Sequence, residues 1–349
     1  MTQPSAVPGA RDLLVGVDVG GSKIAVLVVD SESTIRGRHT IPTAVGAPLG
    51  AAGHIADAIS AALMVAGAGI DRAAAVGVGV PGRVDRRRGE VSLAVNLGWH
   101  RLLLADQLEA RLGVPCAIDN DVRAAAAGIV DRGLLGDVAD FVYLAVGTGI
   151  SAGVVIDGRV HRGTRGLAGE IGHIVVDADG PRCPCGLRGC LETVAAGPAI
   201  ARAAAAMIAT GRSSTIAAAA GAEGLEAADV FRAAAGGDPL GAEIVARAGR
   251  YLARAIHALV MTYDVERVVI GGGVSRAGEG LMGPIRAELT DMRASSELAA
   301  EMVPPDVVTV SPDGPDAGAW GGVSIARALA GQAAANEGTE EVVARQATA

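Results

Sequence analysis

Residues 13–30 read LLVGVDVGGSKIAVLVVD, and this stretch decides the fold. An apolar run, Leu13–Val19, meets Gly20-Gly21-Ser22 and gives way to a second run, Ile24–Asp30. Two strand-like runs joined by a tight Gly-rich turn predict a β-hairpin. The order returns later as Phe141–Val146, Gly147-Thr148-Gly149 and Ser151–Ile156, with Asp157-Gly158 as the next hairpin turn. Further elements follow each hairpin. In the first half these are a strand at Thr34–Ile41, a helix at Ala51–Ala68, a buried strand at Ala74–Val80, a helix at Leu102–Leu112, a strand at Val114–Ile118 and a helix from Ala124. In the second half they are a long helix at Leu240–Tyr263, strands at Arg267–Ile270 and Val307–Val310, and a final helix at Ala317–Ala330. Hydrophobic spacing drives these readings, as at Ile55, Ile59 and Leu63. The expectation is an α/β chain of two lobes with duplicated βββαβα units. Residues 12–122 plus 317–330 form a small N-terminal lobe, 123–316 a larger C-terminal lobe, and 1–11 and 331–349 are tails.

The 349 residues suffice for about two domains. Half are hydrophobic, yet only two Phe, three Tyr and two Trp occur, so Ala, Val, Leu and Ile must build the core. The 50 glycines sit at the ends of Val-rich runs without a collagen period. A formal charge of −8 argues against a nucleic-acid surface. Apolar stretches fall short of the ~18–20 residues a membrane span needs. The N-terminus shows no basic and apolar signal segment. Three of the four cysteines crowd into Cys183, Cys185 and Cys190, which points to metal ligation in a reducing compartment. The expected setting is cytoplasmic and the expected partners are small molecules, with no nucleic acid and no membrane.

Three glycine patterns come close to nucleotide motifs and miss their context. Gly16-x4-Gly21 is followed by Ser22-Lys23, the reverse of the P-loop order, and then by a strand. Gly77-x-Gly79-x-x-Gly82 runs into the charged turn Arg83–Arg88, and Gly147-x-Gly149-x-x-Ala152 continues as a strand, so neither enters the helix a dinucleotide site requires. A hairpin-turn phosphate site fits better. Backbone N–H groups at Gly20 and Gly21 form a nest for phosphate oxygens, Ser22 and Lys23 add donors, and Asp18 can hold Mg²⁺. Gly147, Thr148 and Gly149 repeat the arrangement. Each turn alone equally fits an ordinary hairpin; their duplicated placement favours phosphate. Gly272 and Gly273 suit close approach by a flat ligand such as adenine, or a helix entry capped by Ser275.

Asp119-Asn120-Asp121 stands where a strand gives way to a helix, at the sheet end where open α/β folds bind ligands. It reads either as a carboxylate base or as a helix-capping cluster, and spacing does not choose between the two aspartates. His173-x9-Cys183-x-Cys185-x4-Cys190 supplies four ligands, a closed tetrahedral set that suits structural Zn²⁺. Glu170 and Glu192 flank it and remain free for hydrogen bonds to a ligand.

Cys183–Glu192, CPCGLRGCLE, resembles the CxCGxxGCxE signature of the ROK family of sugar kinases and sugar-responsive repressors. Gly169–His173 resembles its GExGH element, and Asp18–Lys23 its DxGGTK phosphate loop with Ser22 for Thr. Gly79–Gly82, Asn96–Trp99 and Asn120-Asp121 follow in the family's order, so the resemblance spans roughly residues 12–330. It implies the two-lobed actin-like (ribonuclease H-like) fold, a homodimer or homotetramer, and ATP-dependent phosphorylation of a hexose 6-hydroxyl. Glucose is the first choice of substrate, with N-acetylglucosamine, N-acetylmannosamine or fructose as alternatives. It also implies that Asp121 is the catalytic base; that Gly82, Asn96, Asn120, Asp121, Glu170, His173 and Glu192 line the sugar site; and that His173, Cys183, Cys185 and Cys190 bind zinc. Arg123 and Ile129 depart from the family's Asn and Glu. Its repressors carry a helix-turn-helix ahead of the phosphate loop; only seventeen residues precede Asp18 here, which favours the kinase reading.

Overall fold

The computed structural model describes residues 11–44, 50–219 and 224–347. The expected tail 1–11 therefore lies almost wholly outside the described residues. The chain divides into two compact units, residues 1–135 with 316–349, and residues 136–315.

In the first unit, β1 (Leu13–Val19), β2 (Lys23–Val29) and β3 (Ile35–Pro42) form an antiparallel meander. Parallel strands β4 (Ala73–Val80) and β8 (Cys116–Asn120) extend it, giving the order β3-β2-β1-β4-β8. Strands β1 and β4 run centrally with both faces covered, which is why their sequences are almost continuously apolar. Helices α1 (Ala51–Val65) and α2 (Leu104–Leu112) cover one face. Helix α10 (Ala317–Ala347) covers the other at backbone contact, since a Cβ on Gly16 would lie 2.2 Å from the Ala319 carbonyl oxygen and one on Gly77 2.0 Å from that of Gly322.

In the second unit, β9 (Phe141–Val146), β10 (Ile150–Ile156) and β11 (Arg159–His161) repeat the meander, and β12 (Arg267–Gly271) and β13 (Val308–Val310) repeat the parallel extension, in the order β11-β10-β9-β12-β13. Both units thus carry the same sheet, the duplication that the hairpins imply and the actin-like topology that the family resemblance implies. The core packs this sheet against α4 (Leu191–Ala195), α5 (Gly197–Ala209), α6 (Ala227–Ala235), α7 (Pro239–Tyr263) and α8 (Glu279–Ser295). The short helix α9 (Glu297–Met302) follows α8. Asp238 caps α7 by accepting the Gly241 N–H, with Pro239 as the first helical residue.

Four local readings change. The charged run Arg83–Arg88 is not only a turn, because β5 (Arg83–Asp85), β6 (Glu90–Ala94) and β7 (Trp99–Leu103) form a separate antiparallel sheet that takes the first residues assigned to the Leu102–Leu112 helix. Strand β8 does not stop at Ile118; pairing of Val80 with Asn120 carries it through Asp119 and Asn120, and α3 (Asp121–Asp131) begins at once. The unit boundary follows Leu135 rather than residue 122, because α3 packs tightly on α10: a Cβ on Gly128 would lie 2.9 Å from the Gly321 nitrogen. Finally, α10 continues to Ala347, where residues 331–349 read as a tail; the Ala- and Glu-rich composition carries high helix propensity.

Candidate functional site

The β1–β2 turn closes through the Gly20 N–H, which donates to the Lys23 carbonyl at 2.8 Å. Thr43, which the sequence did not single out, braces it: its hydroxyl donates to the Gly20 carbonyl and its N–H to the Ser22 carbonyl. Thr43 thus occupies the Gly20 and Ser22 carbonyls, while the Gly20 N–H is itself committed to closing the turn. Ser22 is exposed, and Lys23 is half-buried.

Asp18 ends β1 beside Gly79 of β4, and its carboxylate crowds Gly318 at the start of α10. Desolvation and then the nearby Asp121 charge push its carboxyl up to about 7, against a smaller opposing pull from Lys23. The two acids form a site short of positive charge, the chemistry that accepts a divalent cation. The raised value also sets a stability trend. The folded carboxyl holds its proton more tightly than the unfolded one, so stability falls as pH rises from about 4 to about 7 and levels off above. The full loss is about 2–4 kcal/mol. Asp18→Asn should therefore raise the melting temperature of the ligand-free protein at about pH 8 by several degrees and change little near pH 4. Equal shifts at both values would refute this.

Asn120 is the N-cap of α3, its Oδ1 accepting the N–H groups of Val122 and Arg123. Its Nδ2 donates to the Gly82 carbonyl at 3.2 Å and to Asp121 Oδ1 at 2.8 Å. Gly82 needs its positive φ of 90°, since a Cβ there would lie 2.2 Å from the Leu93 carbonyl oxygen. That packing places the end of β6, and hence exposed Asn96 just beyond it, on the same side of the unit. The capping reading of the trio is realised in Asn120, and Asp121 beside it is half-buried. Asp119 is a different kind of group. It is buried between Arg86 (3.6 Å) and Arg123 (3.9 Å), and its Oδ1 accepts the Asn120 N–H. Arg123, where the family carries Asn, is itself buried and supplies the charge that Asp119 needs. Ile129 is part of the core.

In the second unit, Gly147 N–H donates to the Gly149 carbonyl, and the Gly147 carbonyl accepts the N–H of Gly197 at the start of α5. The Gly272-Gly273 turn lies alongside: a Cβ on Gly147 would be 3.7 Å from the Gly273 nitrogen. Gly272 has φ of 82° and no room for a side chain against Val146. Ser275 does not cap a helix; its hydroxyl donates to the Gly272 carbonyl. Gly147 and Gly273 have space for a methyl group, so packing does not require glycine at either position. Gly147→Ala should fold normally and raise the KM for ATP ~5–10-fold, equivalent to ~1 kcal/mol, with the sugar KM within about twofold. A change confined to the sugar KM would show that the turn does not hold phosphate.

The GExGH segment lies flat on β10 because its glycines permit it: a Cβ on Gly169 would be 1.8 Å from the Ala152 carbonyl oxygen, and one on Gly172 2.0 Å from that of Ile150. Glu170 and His173 follow from that docking and are half-buried. His173 Nδ1 is 3.6 Å from Cys183 Sγ, Cys185 Sγ is 3.6 Å from Cys190 Sγ, and the four donor atoms all lie within 4.8 Å of one another. Thiolates about 2.3 Å from zinc span tetrahedral edges of about 3.8 Å, so this donor set fits the ion. Glu192, in the first turn of α4, reaches the cluster with Oε1, 3.5 Å from Cys183 Sγ, while Oε2 would lie 3.1 Å from a Cβ on Gly149. No helix among the described residues is long and apolar enough to cross a membrane.

Two sheets of the same strand order, paired glycine turns and a His-Cys₃ cluster are the features that the ROK resemblance implies. The ROK family profile matches residues 14–329, and the chain belongs to the ROK family. It is 37% identical over 277 residues to a glucokinase of Halalkalibacterium halodurans, covering 78% of this chain and 83% of that one. It is 35% identical over 288 residues to an N-acetylmannosamine kinase of Citrobacter koseri, covering 81% and 90%. The solved ROK family glucokinase from Streptomyces griseus, in complex with glucose and AMPPNP, superposes with a TM-score of 0.78 at 32% identity over 90% of this chain and 99% of that chain.

Proposed function

We propose that the protein transfers the γ-phosphoryl group of ATP to the 6-hydroxyl of a hexose, with glucose as the acceptor. The observation that supports this most directly is the corner at the end of β8, where the Asn120 amide donates to Asp121 Oδ1 at 2.8 Å and so orients that carboxylate at the end of the sheet. A sugar hydroxyl is a weak nucleophile, and a positioned carboxylate that receives its proton lowers the barrier. Gly82, Asn96, Asn120, Glu170, His173 and Glu192 orient the sugar through amide, carboxylate and imidazole groups that pair with adjacent hydroxyls. Gly20, Gly21, Ser22, Lys23, Gly147, Thr148 and Gly149 hold phosphates, and Gly272 and Gly273 admit the adenine. Asp18 would hold Mg²⁺, which screens phosphate charge when bound. His173 Nδ1 and the three cysteine sulfurs would hold Zn²⁺ as a structural ion with no open position.

The similarity to an N-acetylmannosamine kinase supports a second acceptor class, the N-acetylhexosamines. A coupled ADP-release assay over glucose, mannose, fructose, N-acetylglucosamine and N-acetylmannosamine tests both. Highest kcat/KM for glucose supports the first; an N-acetyl sugar in first place replaces it. We further assign a cytoplasmic setting and a homodimer or homotetramer, the latter checked by light scattering.

A further inference from the structure

A cavity of about 280 Å³ in the first unit is used by none of the roles above. It opens between the β5–β6 turn, α2, the first residues of β8 and α10. Arg86, Arg87 and Arg88 line one side, Asp106 and Gln332 add an acceptor and an amide, and Leu329 belongs to its apolar floor. Three consecutive guanidinium groups outnumber the two carboxylates present, and one of those, Glu109, is already engaged by the Cys116 N–H at 2.8 Å. Arg88, itself exposed, makes a long contact of 3.6 Å to the buried Glu90. Arg87 makes no side-chain ion pair among the described residues. Guanidinium forks suit phosphate oxygens, while a carboxylate and a primary amide beside them suit hydroxyl groups.

We propose that this cavity binds a small phosphorylated polyol, and that it communicates with Asp121. A chain of contacts connects the two: Arg86 lines the cavity and also pairs with Asp119, whose Oδ1 receives the Asn120 N–H, and Asn120 in turn holds Asp121. A phosphate group that draws Arg86 into the cavity leaves Asp119 with Arg123 as its remaining arginine. The corner that orients Asp121 then loosens, and kcat falls without competition for sugar. The regulatory half rests on the kinase reading; the binding half does not.

The test is calorimetric titration with fructose 6-phosphate and, separately, inorganic phosphate, in the presence of saturating glucose and AMPPNP. A prior titration of those two alone reports on the kinase reading by itself. The expected result is one equivalent of fructose 6-phosphate bound, at least tenfold more weakly by Arg87→Ala/Arg88→Ala, and at least tenfold more tightly than inorganic phosphate. In steady-state assays the ester lowers kcat of the native protein and leaves that of the double variant unchanged. Equal affinity of native protein and double variant, or no binding by either, overturns the site. Phosphate binding as tightly as the ester overturns the polyol assignment, and inhibition that glucose competes away overturns the coupling.

Discussion

Asp121→Asn should fold like the native protein, bind sugar, and lose turnover by ~10²–10⁴. The geometry makes this a clean substitution. Asp121 Oδ1 accepts the Asn120 amide and the Val122 N–H at 2.9 Å, and an asparagine can present its Oδ1 to the same two donors. The second oxygen becomes an amide that accepts no proton. The substitution also removes one negative charge from the first turn of α3, which costs ~0.3–1 kcal/mol. Asp119→Asn provides the contrast. It removes the counter-charge of buried Arg123, so its main effect is lost stability, ~3–5 kcal/mol for breaking a buried pair. Thermal melts and kcat on both variants separate the roles. Near-native kcat in Asp121→Asn, with the native melting curve, would show that the base lies elsewhere.

The hairpins were legible because periodicity and glycine both spoke for them. Leu13–Val29 and Phe141–Ile156 alternate long apolar runs with glycine turns, and no helical spacing competes. The β5–β7 sheet was not legible, since its three- and five-residue strands are too short for a period and Arg86–Arg88 masks them as a solvated turn. At Asp119–Asp121 the sequence ends the strand two residues early and starts the helix three residues late, because polar residues end the apolar run before the hydrogen-bond ladder ends. Ligand-type residues at the cysteine cluster were legible from spacing alone. The network around Asp121 was not. Arg86 lies 33 residues before Asp119, and only the pairing of β4 with β8 and the turn after β5 bring it there, whereas Arg123 is four residues after Asp119 and reaches it locally. Thr43 illustrates the same limit: it sits 23 residues from the Gly20 carbonyl it binds, and nothing local marks it.

Removing the metal, by chelation or by Cys185→Ser, should weaken sugar binding at least ~10-fold and lower kcat together, while nucleotide affinity changes little. Backbone contacts survive the loss in part, because the Leu191 N–H still donates to the Ile174 carbonyl and Val175 still bridges to Cys190. What changes is the side chains. Without a cation, burial pushes the Cys183 thiol up to about 12, so it keeps its proton and donates it towards Glu192 Oε1. His173 Nδ1, 3.7 Å from the same oxygen, adds a second claim on that carboxylate. With Zn²⁺ bound, His173 Nδ1 and the three cysteine sulfurs would be its ligands, the sulfurs as thiolates that cannot donate, and the Glu192 carboxylate and His173 Nε2 would be left for sugar hydroxyls. The ion would then affect sugar affinity through these side chains and not through the phosphoryl group. Metal analysis should find about one zinc per chain, and readdition of zinc should restore sugar affinity to chelated native protein but not to Cys185→Ser. A folded, metal-free protein with native sugar affinity would show that Glu192 and His173 keep their places without the ion, and that backbone docking of Gly169 and Gly172 on β10 suffices to hold them.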